Sequence, residues 1–127
     1  MENGSGVYRP GECNIDDTGV RARQRLGWIC AISGAAVLIS MFIMHAPPVG
    51  RFIAATFFSA AAVLNFRQAS EHFCVVNGVL GRSEQEGKTS KIANNGFRVV
   101  DREKAIRDFM IAGALGLVIG SIGLLPF

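Results

Sequence analysis

Leu26–Ala46 reads LGWICAISGAAVLISMFIMHA, 21 residues without a formal charge, of which only Ser33, Ser40 and His45 are clearly polar. As a helix rising about 1.5 Å per residue it measures roughly 31 Å, matching a hydrocarbon core of about 30 Å. An uncharged run of this length predicts a transmembrane helix. Phe109–Phe127 is a second such run of 19 residues, roughly 28 Å long. Between them in sequence, Phe52–Phe66 holds 15 uncharged residues bounded by Arg51 and Arg67, about 22 Å against the usual requirement of ~20 residues. Both arginines can snorkel to the interfaces, and a helix running on through Ala69 and Phe73 is long enough. A re-entrant or tilted segment is the other reading. A soluble bundle with buried central helices would need more amphipathic sequence to cover them than the chain has.

The expected fold class is therefore all-α and integral to a membrane, with three transmembrane helices in one domain over residues 1–127. The expected bounds are a flexible tail at 1–17, helix one at 18–46, helix two at 49–80, a solvated loop at 82–100 and helix three at 101–126. Asp17 or Thr18 is the expected N-cap of the first helix and Asp101 that of the third. Pro47, Pro48 and Gly50 break the chain into a tight hairpin at His45–Arg51. No small-x-small site follows the first apolar run, so it is expected to stay as an anchor. A polar, Asp-started, Arg-bearing turn precedes both the first and the third runs, but any helix leaving a membrane interface would share it.

The basic residues set the orientation. Arg9, Arg21, Arg23 and Arg25 precede the first span, and Arg67, Arg82, Lys88, Lys91, Arg98, Arg102, Lys104 and Arg107 lie between the second and third. With three spans, 12 of the 13 basic residues fall on one side and only Arg51 on the other. The positive-inside rule makes that side cytoplasmic, with the N-terminus in and the C-terminus out. The net charge of +3 then reflects membrane clamping by Arg21, Arg25, Arg51 and Arg67, with Trp28 as an interfacial aromatic, and not a nucleic-acid site. Glu103 with Arg107 and Lys104 with Asp108 are helical i,i+4 pairs leading into the third span.

Candidate functional features are few. Ala112, Gly116 and Gly120 recur every four residues in the third span, as do Gly27, Ala31 and Ala35 in the first and Ala55 and Ser59 in the second. Such spacing lets helix backbones approach closely. It serves packing within one three-helix bundle, a face for another subunit, or homo-oligomerisation through Gly116 and Gly120. Cys30 reads as a small packing residue. Cys13 and Cys74 are expected at the cytoplasmic face, Cys74 with Glu71 and His72 nearby, and Arg21 and Arg67 are close enough in sequence to activate a thiol. Cys13, His72 and Cys74 are thus candidates for a redox, persulfide or metal site, although CxxC spacing and a fourth ligand are missing and the cytoplasm is reducing. Neither His45 nor His72 falls mid-span, where a pigment ligand would sit. Away from their ends the spans hold no Asp, Glu, Lys or Arg, which argues against a lone pump or transporter. Asn65 is the one strongly polar residue well inside the second span. Phosphate-loop, triad and HExxH motifs do not occur.

Glu12-Cys13-Asn14-Ile15 followed by Gly19-Val20-Arg21-Ala22-Arg23, with Phe73-Cys74-Val75-Val76, Gly78 and Gly81, resembles the small bacterial YgaP-like inner-membrane proteins over roughly residues 12–81. The resemblance implies a transmembrane hairpin in a bacterial inner membrane and added interest in Cys13 and Cys74. Some members of that family carry a rhodanese sulfurtransferase domain; nothing in residues 1–127 matches one, so no such activity carries over. The third helix departs from the two-helix pattern. The expectation is a non-catalytic accessory or scaffold subunit of a larger membrane assembly, without a cofactor, contacting lipid and other membrane subunits. The alternative is the thiol or metal site.

Overall fold

The computed structural model describes residues 8–85 and 88–126, with the side chains of 84, 85, 88 and 89 left aside. Helix α1 spans Asp17–Ile43, α2 Pro48–Glu71 and α3 Val75–Leu80; the strands β1 (Arg82–Gln85) and β2 (Lys88–Lys91) form an antiparallel hairpin; α4 spans Asn95–Gly120 and ends in a 3₁₀ turn, Ser121–Leu124. The chain is mostly helical. Three of its helices, α1, α2 and α4 with its terminal turn, are long and apolar enough to cross a membrane.

Helix α2 is the centre of the molecule. Helices α1 and α4 both pack on it and hardly touch each other. The result is an open layer instead of a closed bundle. Of the apolar windows of α1, α2 and α4, only 6 %, 17 % and 28 % of residues are buried within the protein. Trp28, Ile32, Phe57, Phe109 and Val118 are all more than 60 % exposed. An apolar surface on this scale is tolerated by lipid and not by water, which removes the soluble-bundle reading.

Small residues make the two helix contacts. A side-chain carbon on Gly27 would lie 2.8 Å from the Phe66 ring, and one on Gly34 2.6 Å from Phe58 Cβ, so α1 sits against α2 at van der Waals distance. On the other side, a carbon on Gly116 would lie 2.6 Å from Ala60 Cβ, one on Gly120 2.8 Å from Thr56 backbone, and one on Gly123 2.6 Å from Arg51 backbone. Backbone approach this close replaces the hydrophobic drive that lipid does not supply.

Several expected boundaries are corrected. Of the tail at 1–17, residues 1–7 lie outside the described residues, but 8–16 is folded: Arg9 and Cys13 bridge, and Cys13, Asn14 and Ile15 are each 1 % exposed. Asp16, one residue before the expected caps, accepts the Gly19 N–H at 3.0 Å and starts α1. Helix α1 stops at Ile43, not 46, because the chain enters a left-handed turn at His45 (φ 56) before Pro47 and Pro48. The expected helix 49–80 is two helices: His72 (φ 54) ends α2, and Phe73–Cys74 runs extended before α3. Even so, α2 has 24 residues, about 36 Å, and is long enough to span without re-entry. The expected loop at 82–100 holds the hairpin and the first turns of α4. Asn94, not Asp101, is the cap, its side chain accepting the Phe97 N–H at 3.1 Å. Both histidines thus occupy the left-handed position that closes a helix, where Gly or Asn is usual and His is tolerated.

Candidate functional site

The Glu71 end of α2 and the Asn95 end of α4 meet at the rim where the basic residues collect. Arg67 lies one helical turn before Glu71 and bonds it at 2.9 Å, while the same nitrogen reaches Asp108 of α4 at 3.1 Å. Lys104 returns the contact, 2.9 Å from Glu71 and 3.1 Å from Asp108. Two cations and two carboxylates form a closed ring of formal charge zero across α2 and α4. Asp108 is almost fully buried, and Lys104 also lies 5.2 Å over the Phe73 ring. Each oxygen of the two carboxylates has a cationic donor, so the ring latches two helices and presents no unpaired base.

Segment 8–16 caps this rim. Asn14 pairs with the backbone of Cys74 through both ends of its amide, accepting the Cys74 N–H at 2.6 Å and donating to the Cys74 carbonyl at 3.1 Å. Its own N–H donates to the His72 carbonyl at 3.0 Å. Gln68 accepts the Val75 N–H at 2.8 Å. Asn14 and Gln68 thereby satisfy the backbone that the break after α2 would otherwise orphan. On α4, Asp101 is fully buried and accepts from Tyr8 Oη at 2.7 Å and from the Gly11 N–H at 2.6 Å. Burial, then the bond to Asp101 and its charge, push the Tyr8 hydroxyl well above the ordinary tyrosine range.

The structure brings Cys13 and Cys74 into one layer, on either side of Asn14, but in different surroundings. Cys13 donates to the Ile15 carbonyl at 3.4 Å, and burial pushes its thiol above the ordinary value. Cys74 is 3 % exposed and its sulfur accepts from Arg23 at 2.9 Å. His72 is directed elsewhere, its Nε2 3.9 Å from Asp17. Among the described residues no group of three His, Cys, Asp or Glu side chains is placed to hold a metal ion. Arg23 is the thiol's neighbour here, not Arg21 or Arg67.

At the opposite rim Arg51 is buried at 2 % exposure instead of reaching out to the interface. Its guanidinium donates to the carbonyls of Gly123, Leu125 and Ala46 at 2.9, 2.8 and 3.0 Å and stacks 4.3 Å over Phe42. It closes the 3₁₀ turn after α4 by donating to the Gly123 and Leu125 carbonyls, at a helix end where a cation is favoured. Of the other expected anchors, Arg21, Arg25 and Trp28 are exposed on α1, with Trp28 edge-on to Phe66 at 5.4 Å.

The expected packing residues are placed unequally. Ala112, Gly116 and Gly120 are buried, the two glycines against α2, and Gly27 is buried against Phe66. Gly116 and Gly120 thus pack within the chain, against Ala60 and Thr56. Gly113 faces open space. Ala31 and Ala35 line an open trough of about 370 Å³ whose floor is Ala55, Ser59 and Ala62 of α2 and whose far wall carries Ile119 of α4.

Asn14, Arg23, Gln68, Glu71 and Asp101 are the rim residues that sequence reasoning gave no such role. Lys104 and Asp108 announced themselves by i,i+4 spacing, but their partners lie 33 and 41 residues away, and no local pattern encodes that pairing. Comparison with protein-family models, curated proteins and solved structures finds no match. The resemblance of residues 12–81 to YgaP-like proteins therefore rests on its own short motifs.

Proposed function

We propose that this chain is a non-catalytic, multi-pass accessory subunit of a bacterial inner membrane, with its basic rim in the cytoplasm, built to pack against other membrane proteins. The observation that carries this is the open layer: among the long helices α1 packs mainly on α2 and leaves most of its apolar surface uncovered. The surface offered to a partner is not the glycine face of α4, which α2 covers, but the outer face of α1, where Ile29, Ile32, Ile39 and Ile43 are exposed. The rim polar groups support the same reading, since the ring of Arg67, Glu71, Lys104 and Asp108 and the Asn14 clasp hold helices together and leave no base or acid poised over a cavity. Native mass spectrometry of the chain extracted in mild detergent tests it. A co-purifying polypeptide is expected, and a lone monomer would end the proposal.

A second reading is favoured by one contact, the Arg23 guanidinium on Cys74 sulfur. A neighbouring arginine is one element of a reactive thiol's surroundings. Burial of Cys74 means an electrophile reaches it only when segment 8–16 lifts. This reading narrows the thiol role to Cys74, and it requires Cys74→Ser to abolish the chain's phenotype while Cys13→Ser does not.

A further inference from the structure

Because α1 and α4 diverge on either side of α2, the trough between them is a void at bilayer depth that something must fill, as unfilled space forfeits the dispersion contacts of its walls. Its lining is almost wholly apolar: small residues such as Ala31, Ala35, Ala55 and Ser59 alternate with the larger Phe58 and Ile119. From Phe66 back to Ala55 the floor of α2 extends roughly 16 Å at about 1.5 Å per residue. That is close to half of a hydrocarbon core of about 30 Å, the depth of one leaflet. The volume of about 370 Å³ falls within the range of about 300–1,000 Å³ usual for small-molecule sites.

The end of the trough at the basic rim is not apolar. Phe66 also forms the floor of a second recess, of about 570 Å³, whose other walls are Arg21, Gln24, Arg25 and Trp28. Arg21 and Arg25 stand one helical turn apart on α1, at the level where headgroups lie. Gln24 adds a neutral donor between them. Trp28, edge-on to Phe66, completes the lining of the polar recess. The two recesses share Phe66, so a two-arginine pocket sits at the head of a one-leaflet apolar channel.

We propose that this composite recess binds one anionic phospholipid from the leaflet at the basic rim, its phosphate held by Arg21, Gln24 and Arg25 and one acyl chain laid along Ala31, Ala35 and Ser59. Charge complementarity selects the occupant. A transmembrane helix from another protein would fill the trough but leave both guanidiniums without an anion, and a free phosphate would leave the trough empty. The trough that takes the acyl chain lies between α1 and α2, so its occupancy does not depend on the accessory-subunit reading.

The test is native mass spectrometry of the full chain released from nanodiscs containing equal phosphatidylglycerol and phosphatidylcholine. The wild type is expected to retain one phosphatidylglycerol, preferred by about thirtyfold from two well-placed arginines. The R21Q/R25Q variant alters only exposed side chains and is expected to lose the preference. S59L fills the floor and is expected to retain neither lipid, with circular dichroism confirming that it remains helical. An unchanged preference in R21Q/R25Q, or lipid retained by a folded S59L, overturns the proposal. So does a co-purifying polypeptide that S59L releases, which would make the trough a helix site.

Discussion

A single arginine shows how much a membrane structure can demand of one side chain. Arg51 bounds the second apolar run and reads as an interfacial anchor, yet three of its nitrogens donate to three carbonyls from two different connections. Hydrogen bonds from charged donors contribute about 1.5–3 kcal/mol each, and carbonyls left without donors at a membrane edge are costly. Arg51→Ala is expected to lower stability by about 3 kcal/mol, read as earlier unfolding on titration with a denaturing detergent. Arg51→Lys should recover only part of the loss, because an ammonium lacks the planar fork that spans three acceptors. An unchanged midpoint for the alanine variant would mean that water caps α4 instead. The charge at position 51 was plain in the sequence. Its direction was not, because two of the three carbonyls it meets come from residues more than 70 positions later.

At the scale of elements, the recurring small residues decide which helices meet. Ala112, Gly116 and Gly120 share one face, and the structure turns that face toward α2, whereas Gly113, one residue along, meets nothing. Gly120→Ala therefore forces α4 off Thr56 and should destabilise the fold by about 1–3 kcal/mol. Gly113→Ala should be neutral or gain about 0.5 kcal/mol from helix propensity. Thermal inactivation of helix packing in detergent separates the two, and equal effects would show that neither glycine was in a helix contact. The existence of the three spans was legible because length and lack of charge are local properties. The breaks were less so. Nothing about His72 marks it as a helix terminator, since the left-handed turn there is stabilised by Asn14 and Gln68 holding the backbone that follows it.

For the molecule as a whole, the cap formed by 8–16 joins the start of the chain to α4 and to the corner after α2. Tyr8, the only tyrosine in the chain, reports on it. A tyrosine held protonated in the fold contributes stability that is complete below the ordinary value of about 10 and is lost as pH rises through the elevated folded value. Tyrosinate absorbance of the folded protein should therefore appear at higher pH than in the denatured chain, and Tyr8's contribution to stability should be lost in that alkaline window. Alkylation of the buried Cys13 should accelerate in step, as its own thiol is pushed up by burial. Ionisation of Tyr8 at the ordinary value would mean that the cap is undocked.

The sequence by itself determined that the chain has three membrane-compatible helices, roughly where they run, and that its basic residues gather at one end. Charge and apolar length act locally, and no folded partner is needed to read them. Only the tertiary structure decided that α1 and α4 flank α2 with little contact between them, that the glycine face of α4 is covered, and that Arg21 and Arg25 stand at the head of an apolar trough. Those outcomes depend on which face of each helix meets which neighbour. Helices that are apolar on every side carry too weak a pattern to specify that, so shape at a few small residues and the pairing of distant polar groups settle it.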